Sequence, residues 1–162
     1  SIKSETVIVP LDTSPLAETV FRDVTDLAKV LQLKVILTHA YNVPLSAYYG
    51  AEDYGSPDYR NLAAQLKDEA HKYLDRKVEE LKGRGLAQVS SVLSEGFAAE
   101  EIIALTRSEP DSLLAMCTHG YSGVKRWVLG SVTEKVVRHC GDPVLVVGPA
   151  VTDADGKERE NV

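Results

Sequence analysis

The chain has 162 residues, 44% of them apolar and 26% charged, with a formal net charge of −6. At about 150 residues per domain this is one domain, long enough to bury about 70% of its extended-chain surface. No apolar run approaches the ~18 residues that a membrane span needs, and eighteen basic against twenty-four acidic residues argue against a nucleic-acid binder, whose surface must neutralise phosphates. No charged-then-apolar signal segment opens the residues given, which begin at Ser1, so the expected compartment is the cytoplasm. Two cysteines, Cys117 and Cys140, make no disulfide framework in a chain of this length. The histidines His39, His71, His119 and His139 lack metal-site spacing, so any metal is expected to arrive with a phosphate ligand.

In chain order, Thr6–Leu11 is a short apolar run that predicts a buried strand ending at Asp12. Ser14-Pro15 then supplies an N-cap and a proline at the first helical position. Ala17, Val20, Phe21, Val24, Leu27, Ala28 and Leu31 recur at helical spacing, which predicts a helix over 15–32. Lys34–Ala40 is the second strand. Residues 42–58 are polar, carry Pro44, Gly50, Gly55 and Pro57, and form a loop too long for a simple connection. A helix follows from Tyr59 to Lys82, with Leu62, Leu66, Ala70, Tyr73, Leu74, Val78 and Leu81 on one face and Gly83 and Gly85 to stop it. Residues 87–94 form a third strand, Ala99–Arg107 a short helix, and Ser112–Thr118 a fourth strand opened by Pro110-Asp111. Val132–His139 is the last helix and Pro143–Val147 the fifth strand, and 151–162 are a polar, frayed tail outside a domain spanning 1–150.

Alternation of strand and helix through the whole chain implies an α/β fold, a doubly wound parallel sheet with helices on both faces. The strands are continuously apolar, as strands covered on both sides must be. In such sheets ligands bind beyond the carboxyl ends of the strands, where the strand order reverses. The segments that matter are therefore Pro10-Leu11-Asp12, His39-Ala40 and Thr118-His119-Gly120. The last leads through a nine-residue spacer, Tyr121–Leu129, to Gly130-Ser131-Val132-Thr133-Glu134, where a helix begins. Glycine admits close backbone approach, and the unpaired amides and positive dipole of a helix start favour phosphate. Equally, Ser131-x-x-Glu134 reads as a capping box that needs no ligand, and Gly120 can serve a simple turn. The residues alone leave both readings open. Neither G-x-x-x-x-G-K-S/T nor a G-x-G-x-x-G after the first strand is present.

The same segments carry a resemblance to the universal stress protein family, over about residues 4–149. It runs through Val7–Ser14, His39-Ala40, Gly96-Phe97-Ala98-Ala99-Glu100-Glu101-Ile102 (with Ala98 where proline is usual), Thr118-His119-Gly120 to Glu134, and Asp142–Val147. The resemblance implies a five-stranded parallel sheet in the order 3-2-1-4-5 and a Rossmann-like fold, paired as a homodimer through the last strand. It also implies an adenine nucleotide, ATP or else ADP or AMP, with Mg²⁺ held mainly through the phosphates. The family's ATP-binding signature is G-x-x-G, nine residues, then G-S/T. Here Gly120 and Gly130-Ser131 match it, while Cys117 stands at the first glycine.

Carried over by position, Asp12 would accept hydrogen bonds from adenine and ribose, with Pro10, Leu11, Ala40 and Cys117 lining the slot. His119, Gly120, Gly130, Ser131, Val132 and Thr133 would hold phosphates. Lys125 and Arg126 lie in the spacer within reach of phosphate or as solvated loop charges. Five of the seven tyrosines (Tyr41, Tyr48, Tyr49, Tyr54 and Tyr59) fall in or beside 42–58, either to cover a nucleotide, to meet a partner or to pack on the domain surface. The implied function is an ATP-binding regulatory, stress-response domain that couples occupancy to an unidentified protein partner or to its own dimer. The rivals are a slow ATPase, for which only His119 and Asp12 offer themselves as a base, and a nucleotide-free interaction protein in which Cys117 closes the site.

Overall fold

The computed structural model describes residues 4–44, 57–118 and 129–148. The expected tail, most of the tyrosine-bearing loop, and His119, Gly120, Lys125 and Arg126 lie outside the described residues. Five strands, β1 (Thr6–Pro10), β2 (Lys34–Tyr41), β3 (Val89–Glu95), β4 (Ser112–Cys117) and β5 (Val144–Val147), form one parallel sheet in the order β3-β2-β1-β4-β5. Four helices connect them: α1 (Phe21–Leu31), α2 (Pro57–Gly83), α3 (Ala98–Ser108) and α4 (Ser131–His139).

Alternate strand residues divide the core. Val7, Val9, Val35, Leu37 and Ala115 pack with Phe21, Val24 and Ala28 of α1 and Tyr73, Leu74 and Leu81 of α2. Ile8, Leu114 and Met116 pack on the opposite face with Ile102 and Ile103 of α3 and Val136 of α4. The period-2 alternation of a strand thus feeds two cores, which is why the central strands carry no polar face. On α2 burial is complete only from Ala70 onward; Leu62 and Leu66 are half-buried.

Most element boundaries differ from the sequence reading by one or two residues, and three of the differences have a local reason. The expected helix over 15–32 opens as a tight 3-10 turn, Ala17–Val20, and becomes α-helical only at Phe21. Leu16, not Ser14, is the N-cap, although the Ser14 Oγ still accepts from the Ala17 N–H at 3.2 Å; Asp12 Oδ1 in turn takes the Ser14 N–H at 3.0 Å and its hydroxyl at 2.5 Å. Those bonds wind the chain through Thr13 at φ 68°, an unusual conformation for a β-branched residue, so the helix starts late. Second, α2 begins at Pro57, in keeping with proline's preference for a first helical turn. Third, β4 stops at Cys117, although the Thr118 N–H still donates to the Val147 carbonyl at 2.9 Å.

Gly96, between β3 and α3, has φ +151°, and its N–H donates to the Tyr41 carbonyl at 3.0 Å. That φ is one L side chains rarely adopt, so the backbone itself reserves this turn for glycine; the atom a Cβ would meet at 2.7 Å, Glu101 Oε1, is the movable end of a side chain. Ala98 follows as the first residue of α3, after Phe97 in extended conformation.

Candidate functional site

The order β3-β2-β1-β4-β5 reverses direction between β1 and β4, so the exits of these two strands open onto one crevice. β1 delivers Pro10, Leu11 and Asp12 there, β2 delivers His39 and Ala40, and β4 delivers Cys117 and Thr118. Asp12 is exposed, Pro10 and Ala40 are half-buried, and Leu11 is buried. Leu11 has no backbone group to spare: its N–H donates to the Thr38 carbonyl and its own carbonyl lies 2.8 Å from His39 Nδ1. It therefore underpins the crevice rather than lining it with polar groups.

Cys117 is half-buried and Cys140 buried, and the two form no disulfide. Burial pushes the Cys117 thiol upward, and the Asp12 carboxylate across the strand gap adds to the shift. Both causes favour the neutral thiol, the reverse of what a reactive cysteine needs. β1 and β4 are paired neighbours in the sheet, which brings Asp12, just past the β1 end, to the side of the β4 exit.

Helix α4 stands above β4, clasped by a Thr133 hydroxyl that donates to the Cys117 carbonyl at 3.4 Å. Thr133 is buried, so its side chain serves this clasp, while Ser131 and Val132 are exposed. The capping box anticipated at Ser131 and Glu134 does not form. Gly130 is the extended N-cap, its carbonyl accepts from the Glu134 N–H at 2.8 Å, and Ser131 is already inside the helix. Glu134 turns instead to Arg138, at 2.8 and 3.2 Å. Among the described residues no side chain caps the α4 start, and the buried Thr118 hydroxyl has no partner. An uncapped first turn has amide donors to offer at the positive end of the dipole.

One feature gave no sequence signal beyond a histidine at a strand exit. The His39 ring meets Tyr73 of α2 edge to face, centroids 5.9 Å apart. The Tyr73 hydroxyl donates to Glu18 at 3.0 Å, and Lys77 donates to Glu18 at 2.7 Å and to Glu80 at 3.1 Å. Burial first, then Glu18, raises Tyr73 far above the ordinary tyrosine range, and Glu18 raises Lys77. Glu18 lies 55 residues from Tyr73 and 59 from Lys77, and His39 meets Tyr73 from another element, so no local pattern announces these contacts. Of the tyrosines in and beside 42–58, Tyr41 ties β2 to β3 through Glu95 at 3.2 Å, while Tyr48, Tyr49 and Tyr54 lie outside the described residues.

A doubly wound parallel domain, with an acidic residue at one side of the switch point and an uncapped helix start at the other, belongs to the broad class of Rossmann-like domains. The model of the universal stress protein family matches residues 3–148, and the chain belongs to that family. Among curated relatives, universal stress protein MJ0531 of Methanocaldococcus jannaschii is 28% identical over 87% of this chain and 80% of its own length. Universal stress protein MJ0577 of the same organism is 27% identical, over 91% of this chain and 96% of its own. The solved structure of MJ0577 superposes with a TM-score of 0.73 at 26% identity, covering 91% of this chain and 97% of that one. The fold is shared by a universal stress protein in complex with cAMP (20% identity, TM-score 0.60, 90% and 98% covered) and by one from Archaeoglobus fulgidus in complex with dAMP (17%, 0.56, 89% and 98%).

Proposed function

We propose that this chain is an adenine-nucleotide-binding regulatory domain, working in the cytoplasm, whose occupancy by ATP, or by ADP or AMP, is read by a partner protein or by its own homodimer. The observation that carries the reading is the start of α4: an N-cap glycine, no side-chain cap among the described residues, and a Thr133 bond to the β4 exit at Cys117. The amides of Ser131, Val132 and Thr133 and the Ser131 hydroxyl would receive phosphate, and an overall charge of −6 does not oppose this because backbone donors act locally. Asp12 would accept from ribose or adenine through the carboxylate oxygen that Ser14 does not use. Pro10 and Ala40 would wall the base, with Leu11 beneath. His119 and Gly120 complete the phosphate side by their place in the signature.

Mg²⁺ would be held by phosphates and water; among the described residues no group of three or more His, Cys, Asp or Glu side chains is arranged to hold a metal. The cAMP and dAMP complexes of fold relatives favour an adenine ligand. The dimer reading rests on β5, an edge strand of four half-buried apolar residues, a kind of edge that natural sheets pair or cover.

Calorimetric titration with ATP, ADP and AMP tests the reading, together with chromatography of whatever nucleotide is released on denaturing gently purified protein. Saturable one-to-one binding is expected. Absence of binding to all three at millimolar concentration overturns it. Cys117→Gly, measured in parallel, separates the rival: binding that appears only in the variant identifies a nucleotide-free interaction protein whose site the half-buried sulfur closes.

A further inference from the structure

His39 stands at the β2 exit with no role toward the nucleotide assigned to it above, yet it holds the peptide that presents Asp12. Its Nδ1 lies 2.8 Å from the Leu11 carbonyl oxygen. A carbonyl only accepts, so Nδ1 carries the hydrogen. That carbonyl belongs to the peptide unit joining Leu11 to Asp12, and the preceding N–H is held by Thr38 at 2.8 Å. The β2 exit therefore fixes the plane from which Asp12 departs. Beyond Asp12 the chain turns through Thr13 and reaches Glu18, which Tyr73 and Lys77 of α2 hold at 3.0 and 2.7 Å. The ring of His39 rests edge to face on that same Tyr73. Segment 12–18 is thus pinned at its start by His39 and at its end by α2, with the imidazole touching both anchors.

We infer that His39 is a positioning residue for Asp12, acting through its Nδ1–H on the Leu11 carbonyl; as a statement about ligand binding, this rests on the nucleotide reading above. The chemistry separates positioning from packing. The side-chain nitrogen of asparagine occupies the place of Nδ1 relative to Cβ, whereas that of glutamine occupies the place of Nε2. Both substitutions remove the ring from Tyr73. Only His39→Asn keeps a donor for Leu11.

Two measurements follow, one of them independent of any nucleotide. The Cys117 thiol reports the position of the Asp12 carboxylate, because a nearby negative charge suppresses the thiolate. His39→Gln is expected to raise the alkylation rate of Cys117 toward that of Asp12→Asn, and His39→Asn to leave it near wild type. In the Asp12→Asn background, His39→Gln should add nothing; an equal acceleration there would mean general loosening and would overturn the inference. Nucleotide affinity should fall roughly 3- to 10-fold for His39→Gln, the loss of about one hydrogen bond, and should be restored by His39→Asn. Equal behaviour of the Asn and Gln variants in the alkylation assay also overturns it. If the wild-type chain binds no nucleotide, the nucleotide reading falls, and the alkylation arm alone decides whether His39 holds Asp12.

Discussion

The cluster that ties the 3-10 turn to α2 permits a quantitative test, because Glu18 is more than fifty residues from Tyr73 and Lys77 and the three are mostly shielded. Glu18 and Lys77 side chains are 24% and 18% exposed, below the level at which solvent screening reduces an ion pair to almost nothing. Tyr73 is buried, and its hydroxyl donates to Glu18 at 3.0 Å. A hydrogen bond to a charged group contributes about 1.5–3 kcal/mol. Glu18→Ala should therefore cost about 2–3 kcal/mol, since it strands the Tyr73 hydroxyl and leaves Lys77 with Glu80 alone. Tyr73→Phe should cost about 1–1.5 kcal/mol, and the coupling between the two in a double-mutant cycle should be about 1–1.5 kcal/mol. The assay is urea unfolding followed by far-UV circular dichroism at pH 7. With a slope near 2 kcal/mol/M, Glu18→Ala moves the midpoint down by about 1 M.

A high-pH arm fixes the sign independently. The folded Tyr73 keeps its proton above the ordinary value of 10.0, so between that value and its raised one the unfolded chain has lost a proton that the folded chain retains. Stability must then fall as pH rises above about 10, and it must fall less steeply in Tyr73→Phe. Lys77, also raised, contributes stability that is intact below its ordinary value of 10.5 and lost above it. Coupling below about 0.3 kcal/mol, the range of ordinary additivity, together with parallel pH profiles, would refute this account of the cluster.

Ala98→Pro should raise stability by about 0.4–1 kcal/mol in thermal or urea unfolding, because Ala98 opens α3 and Phe97 before it is already extended. Leu114→Ala, at a fully buried position in the core beneath α3 and α4, should cost about 2–5 kcal/mol by the same assays. Asp12→Asn removes one of the two influences that hold the Cys117 thiol neutral, so iodoacetamide should label Cys117 faster at pH 8 in the variant, as read by mass spectrometry.

The strands were legible because their β-branched runs are short and unbroken, and the two cores follow from period-2 alternation along them. The crevice was legible at the level of strand exits, since Asp12 follows β1 and Cys117 ends β4, the two strands flanking the reversal in strand order. What failed depends on single dihedral angles. Ser-x-x-Glu reads the same whether a helix begins at Gly130 or at Ser131, and only the extended Gly130 backbone decides that Ser131 is already inside. Likewise no propensity places a threonine at φ 68°, yet Thr13 adopts it because Asp12 captures Ser14, and the 3-10 turn follows. The contacts of Tyr73 and His39 were illegible for a different reason: each joins elements that only the folded topology brings together.

These contacts divide the crevice into two separately braced halves. On one side Asp12 is set by β2 through His39 and by α2 through Tyr73, Lys77 and Glu18. On the other, α4 is tied to β4 by Thr133 and to α3 by the Lys135–Glu100 pair. Cys117 lies where the halves meet, packing against the α1–α2 core while its carbonyl carries the α4 clasp. An occupant reaching from Asp12 to the α4 amides would have to bridge both halves across the β4 exit that Cys117 forms. Substitution at Cys117 therefore acts on the fit between the halves, whereas substitution at Glu18 or Tyr73 acts on one half alone. The two kinds of variant should accordingly separate, the first changing ligand selectivity and the second changing stability and affinity together.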